Sequence, residues 1–314
     1  MNTLKTNSKL LCLLLALFVT ISACDNDDDS PDPMPEPQTI TEIASANDDF
    51  SILVSALVKA DLAGLLDSNG SFTVFAPTND AFEKAGITSL DNLSAADLRP
   101  ILLNHVVSGK ILSTDLQAGD NYVSSENASG PNETKLSLYI NAGDNVVVNN
   151  NSTVTTPNLE ASNGVIHVID NVISADVDVV DIALQNSNFS ELVGALQAAE
   201  GDLVSTLQGD GPFTVFAPTN AAFEAIAEVT AELSASELAN VLTYHVVSGN
   251  VQSSMLSDEM SVTAINQGTF SIDLDGDMPQ IMDASGATVT IVLTDVQGIN
   301  GVVHVVNKVL LQNQ

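Results

Sequence analysis

The chain has 314 residues, with 40 acidic side chains against 8 basic ones and a net charge of −32 at neutral pH. A field of that sign repels nucleic acid and anionic membrane surfaces, so nucleic acid is excluded as a partner and membrane association must come through a covalent lipid. Two cysteines, four histidines and no tryptophan leave little material for disulfides, thiolate metal sites or thiol nucleophiles.

In chain order, Lys5 and Lys9 precede an apolar run over 10–21 that is too short to span a bilayer, followed by Ile21, Ser22, Ala23 and Cys24. Small residues before a cysteine resemble the lipobox of bacterial lipoproteins, which makes 1–23 a signal peptide and Cys24 the lipidated first residue of the mature chain. The competing reading is an ordinary signal peptide with a chance cysteine beside its cleavage site. Cys12 leaves with the signal, so no thiol remains and the exported chain must be held by core burial alone. Residues 24–38 alternate prolines with a block of acids and read as a stiff, self-repelling tether. Acids directly after a lipidated cysteine also resemble the surface-export signal of lipoproteins in one Gram-negative lineage, with a plain spacer as the other reading. The expected location is the outer membrane, lipid-anchored and at the cell surface, with the periplasmic face as the alternative.

From Thr39 the composition turns globular. Phe50, Leu53, Val54, Leu57 and Leu65 fall on one helical stripe, which returns later as Phe189, Leu192, Val193, Leu196, Leu203 and Leu207. The eight residues 72–79, Phe-Thr-Val-Phe-Ala-Pro-Thr-Asn, recur letter for letter as 213–220. Each copy spells a short strand, a proline stop and an N-capped helix start before Ala81-Phe82 or Ala222-Phe223. Ser94 with Asp97, and Ser234 with Glu237, predict capping boxes on a second helix, which Pro100 is expected to kink or delay in the first copy alone. The helix runs into Asn104-His105-Val-Val in one copy and Tyr244-His245-Val-Val in the other. Strands follow over 135–140 and 269–274. Each copy closes on Asn-Gly and a valine-rich strand carrying a histidine: Asn163-Gly164 with His167, and Asn300-Gly301 with His304. Asn-Gly suits the positive backbone angles of a tight hairpin, and β-branched residues at successive positions predict a strand covered on both faces.

The copies are offset by 141 residues at Phe72 and Phe213, 140 at His105 and His245, and 137 at His167 and His304. A repeat of that length is a whole domain, not a solenoid unit.

The three blocks Phe-Thr-Val-Phe-Ala-Pro-Thr-Asn-x-Ala-Phe, (Tyr/Asn)-His-Val-Val and Asn-Gly-Val-(Ile/Val)-His-Val-(Ile/Val) resemble the fasciclin (FAS1) family over roughly residues 39–314. The resemblance implies an α+β fold of two tandem domains, 39–174 and 175–314, each with two packed β-sheets and several flanking helices. It also implies extracytoplasmic adhesion modules without catalytic machinery, which contact envelope or extracellular proteins or glycans. In animal members a tyrosine-histidine motif is implicated in receptor contact. Residue by residue this points to Tyr244 and His245, and to His105 alone in the first copy, where Asn104 replaces the tyrosine. The local sequence favours a different role, since His245 sits among Val241, Leu242, Val246 and Val247 and reads as a buried, hydrogen-bonded histidine. His167 and His304 read the same way.

The four histidines occupy matching positions in separate copies and have no metal-ligand spacing. Asp273, Asp275 and Asp277 imitate a calcium loop, but glycine stands at position four and Ala284 at position twelve, so a hairpin turn is the better reading. No nucleophile elbow, phosphate loop or dinucleotide fingerprint is present, and no cofactor, metal or catalytic residue is expected. The leading expectation is a lipid-anchored envelope adhesion protein. The alternative is a surface accessory protein that captures polysaccharide for uptake, against which the scarcity of aromatics argues.

Overall fold

The computed structural model describes residues 37–68 and 70–312; the expected signal peptide 1–23, Cys24 and most of the expected tether 24–38 lie outside them. In the first copy the strands are β1 (Phe72–Pro77), β2 (Val106–Ser108), β3 (Gly119–Ser124), β4 (Ser137–Ala142), β5 (Val146–Val148), β6 (Ser152–Ala161) and β7 (Gly164–Ile169). In the second they are β8 (Phe213–Pro218), β9 (Val246–Ser248), β10 (Ser261–Thr263), β11 (Thr269–Asp273), β12 (Gln280–Met282), β13 (Thr288–Gly298) and β14 (Gly301–Val306). The first sheet runs β2-β1-β7-β6-β5-β4-β3 and the second, read the same way, β9-β8-β14-β13-β12-β11-β10. The duplication read from one octapeptide therefore extends to the whole topology.

The duplicated strand lies second from one end of each sheet. β1 pairs in parallel with β7 and antiparallel with β2, as β8 does with β14 and β9. All six residues of β7 and of β14 are buried, as their unbroken apolar runs predicted. Alternate side chains feed two different cores. Phe72, Val74 and Ala76 face the helices with Leu53, Leu57, Leu102 and Ile166, whereas Phe75 faces Leu138, Ile140, Val148 and Ile169 inside the sheet. The second copy repeats the division, with Val215 and Ala217 on the helix side and Phe216 on the inner side. Each copy thus carries its own pair of cores.

The expectation of two packed sheets is refined in one respect. The two layers of each domain are halves of one seven-stranded sheet that bends through the long β6 or β13, where two register shifts interrupt the pairing. Asn158 (φ 61°) and Asp295 (φ 62°) take left-handed backbone at these bulges. The ends approach again where Glu126 N donates to Val106 O at 2.7 Å, and Ile265 N to Val246 O at 2.8 Å. The result is barrel-like.

The helices cover the β1–β7 side. Thr78 and Thr219 cap the helices Asn79–Lys84 and Asn220–Glu224, and both serine capping boxes form on Ala95–Asn104 and Ala235–Tyr244. Pro100 lies inside the first of these without shortening or delaying it: both helices have ten residues and matching starts. The carbonyl it leaves without a helical partner belongs to Ala96, which is exposed to solvent.

The Asn-Gly pairs also depart from expectation, because neither asparagine adopts a positive φ. Asn163 instead accepts from Ile40 N (2.9 Å) and donates to Leu66 O, and Asn300 accepts from Val179 N (3.0 Å) and donates to Leu207 O (2.8 Å) and Gly209 O (2.9 Å). Each asparagine fastens two helices to the start of β7 or β14. The glycines are required by close approach: a Cβ on Gly164 would lie 2.0 Å from Phe72 O, and one on Gly301 2.3 Å from Phe213 O.

Candidate functional site

The candidate residues from the sequence are mostly interior. His105 and His245 follow the capped helices and are 2 % exposed. His105 Nδ1 donates to Ile101 O at 2.7 Å, and Nε2 accepts from Ile173 N at 2.9 Å. His245 repeats the arrangement with Val241 O and Leu310 N, both at 2.8 Å. A carbonyl on one nitrogen and an amide N–H on the other define the neutral Nδ1–H tautomer. Burial pushes both imidazoles down to about 4.

His167 and His304 make the mirror-image choice. Nε2 of His167 donates to Ile111 O and that of His304 to Val251 O, each at 2.9 Å. Their Nδ1 atoms accept from Asn158 N (3.3 Å) and Asp295 N (3.2 Å), the residues of the two bulges. The rings lie 5.5 Å from Phe75 and Phe216, and burial lowers the proton affinity of both. All four imidazoles cross-link backbone segments far apart in sequence, and each has both nitrogens engaged.

Tyr244 is completely buried. Its hydroxyl donates to Thr269 O (2.7 Å) and accepts from Ala284 N (3.1 Å), so the ring ties the helix to the far strands of its sheet. In the first copy Asn104 holds that place by donating to Ser174 O (2.7 Å) and accepting from Ser125 Oγ (3.0 Å). Tyr244, His245 and His105 accordingly turn their polar atoms inward in this fold. Asp273 Oδ1 accepts from Asp275 N at 3.0 Å in the β11–β12 turn, and among the described residues no group of three or more His, Cys, Asp or Glu side chains could hold a metal ion.

A polar junction between the copies was not foreseen. Asp120 on β3 accepts from Tyr139 Oη (2.7 Å) and from Asn188 Nδ2 of the second copy (2.6 Å), while Tyr122 Oη accepts from Asn186 Nδ2 (3.0 Å). Gln297 N donates to Ser137 Oγ at 2.9 Å, and Tyr122 packs against the helix-side core of the second copy. Each of these is an ordinary polar residue or lone tyrosine in sequence, paired with one tens or more than a hundred positions away, so no local signal marked them.

Duplicated globules, histidines engaged internally and a polar junction between the copies define a class of protein: a tandem-domain module. The profile of the Fasciclin domain matches residues 48–175 and 187–312, and the chain belongs to that family. The cyanobacterial "Protein sll1483" of Synechocystis is 43 % identical over 139 residues, covering 43 % of this chain and 72 % of that protein. The pig transforming growth factor-beta-induced protein ig-h3 is 29 % identical over 252 residues, covering 78 % of this chain but 35 % of the relative, so the chain spans about a third of that protein. Among solved structures, a FAS1 domain pair from the insect cell adhesion molecule Fasciclin I matches with a TM-score of 0.52 at 16 % identity, covering 84 % of this chain and 97 % of the other. That likeness confirms the tandem fold.

Proposed function

We propose that this protein is a non-catalytic adhesion module of the cell envelope, held to the outer membrane by a lipid on Cys24 and contacting extracellular proteins or glycans through its domain pair, bounded at 39–174 and 175–314. The observation that carries the reading is the doubled fasciclin domain, shared with a structure described as a cell adhesion molecule. The acidic surface repels anionic bilayers, which leaves the lipid as the means of attachment. In this reading the tyrosine-histidine pair at Tyr244 and His245, and His105 in the first copy, serve from behind the surface by holding strands in register.

The test compares attachment of wild-type, deletion and Cys24→Ala cells to protein-coated, glycan-coated and cell-covered surfaces. Attachment is expected to fall in both altered strains, with the Cys24→Ala protein appearing in the medium. Unchanged attachment on every surface contradicts the reading. The capture of polysaccharide is the second reading, favoured by one cavity described next.

A further inference from the structure

A cavity of about 260 Å³ opens where the β5–β6 hairpin meets the connection into the second domain. Ile173 and Val177, both buried, form apolar lining, and Asn149, Ser152, Asp176, Asp181 and Gln185 supply polar groups. Two of these polar side chains are buried without a partner: Asn149 Nδ2 and Ser152 Oγ make no hydrogen bond, on residues only 8 % and 0 % exposed. An unpaired buried polar group costs roughly 1–3 kcal/mol, so two lining one cavity point to something that completes them.

At the corresponding position of the second copy the side chain has its partners within the fold. There the residue following β12 is Asp283, in the position that Asn149 takes after β5, and its carboxylate is saturated. It accepts from Ser285 N (3.0 Å), Ala287 N (2.9 Å) and Leu311 N (2.9 Å). Asn149 accepts one such bond, from Tyr139 N at 2.9 Å, and its amide nitrogen is left over.

The chemistry of the lining selects an occupant. Asn149 Nδ2 needs an acceptor, exposed Asp176 and the second oxygen of Asp181, whose first accepts from Asp178 N at 3.2 Å, take donors, and the Ser152 hydroxyl and the Gln185 amide take either. A carbon-bound hydroxyl is both donor and acceptor, and adjacent hydroxyls on a ring present these roles side by side above an apolar C–H face that fits Ile173 and Val177. Among the described residues no group of three or more His, Cys, Asp or Glu side chains gathers here to hold a metal ion. The carboxylates of Asp176 and Asp181, in a chain of net charge −32, repel an acidic sugar.

We propose that this cavity binds a neutral sugar residue, taken by its hydroxyl edge at the junction of the two domains. The site stands apart from the adhesion reading, because attachment and sugar binding are measured separately and either can fail alone. Without an aromatic platform the affinity for one sugar unit is weak, about millimolar.

The experiment is saturation-transfer difference NMR on the purified full chain with glucose, galactose, mannose and N-acetylglucosamine, and glucuronate as the charged control. At least one neutral sugar receives saturation, glucuronate does not, and Ser152→Ala and Gln185→Ala each weaken binding about tenfold, the equivalent of one lost hydrogen bond. Ser152→Ala deletes an unpartnered hydroxyl and is expected to keep or raise the melting temperature, and Gln185 is only half-buried, so both variants fold. Absence of saturation for all four neutral sugars overturns the proposal, as does unchanged affinity in both variants. A sugar-soaked crystal with only water against Asn149 and Ser152 overturns it too.

Discussion

His245 sits where the helix Ala235–Tyr244 hands over to β9, and its two bonds hold that corner to the segment after β14 at Leu310. Protonation would give Nε2 a hydrogen facing the Leu310 N–H, a clash of donors in a buried site. His105 faces the same conflict with Ile173 N. An imidazole whose proton affinity is lowered on folding adds stability that is fully present above its unfolded value of 6.5 and is lost as pH falls toward about 4. At the acid end each ring would cost the fold on the order of 3 kcal/mol. Urea unfolding followed from neutral to acid pH should show this loss across that window, and His245→Leu should flatten the profile relative to wild type. The same variant should cost about 2 kcal/mol or more at neutral pH, because Val241 O and Leu310 N lose their partner.

At the scale of elements, the parallel pairing of β1 with β7 and of β8 with β14 sets how near the strands come, and the Asn-Gly pair makes that approach feasible. Gly301→Ala places a methyl 2.3 Å from Phe213 O, which only backbone movement can relieve, and should destabilise the second domain by about 3 kcal/mol or more in thermal melts. Asn300→Ala should cost roughly 2 kcal/mol by freeing Val179 N, Leu207 O and Gly209 O from one clamp. These elements also mark how far sequence reasoning reached. Caps at Thr78, Ser94, Thr219 and Ser234 are local chemistry and were readable directly, as were strands with β-branched residues on both faces. The role of Asn163 and Asn300 was not readable, because their partners lie up to 123 residues away and the dipeptide suggests a local turn first.

For the whole molecule, the two copies meet through Asp120, Tyr122, Asn186, Asn188 and Gln297, none of which sits in the repeated blocks. Duplication shows that there are two globules, but their junction joins different faces of the two copies and so leaves no repeated signature. Asp120→Ala combined with Tyr122→Ala removes the bonds to Asn188 and Asn186. In scanning calorimetry the wild-type pair should melt as one transition, and the double variant as two. The site at the sequence level was equally divided: the tyrosine-histidine motif was legible as a motif, while its direction, into the core, depends on packing that only the fold supplies.

The central claim is that the four histidines are neutral internal fasteners. Long-range ¹H–¹⁵N NMR of the imidazoles tests it most directly. His105 and His245 should report the Nδ1–H tautomer and His167 and His304 the Nε2–H tautomer, with none titrating near the ordinary value of 6.5. A histidine that titrates there, or that carries the opposite tautomer, would contradict it.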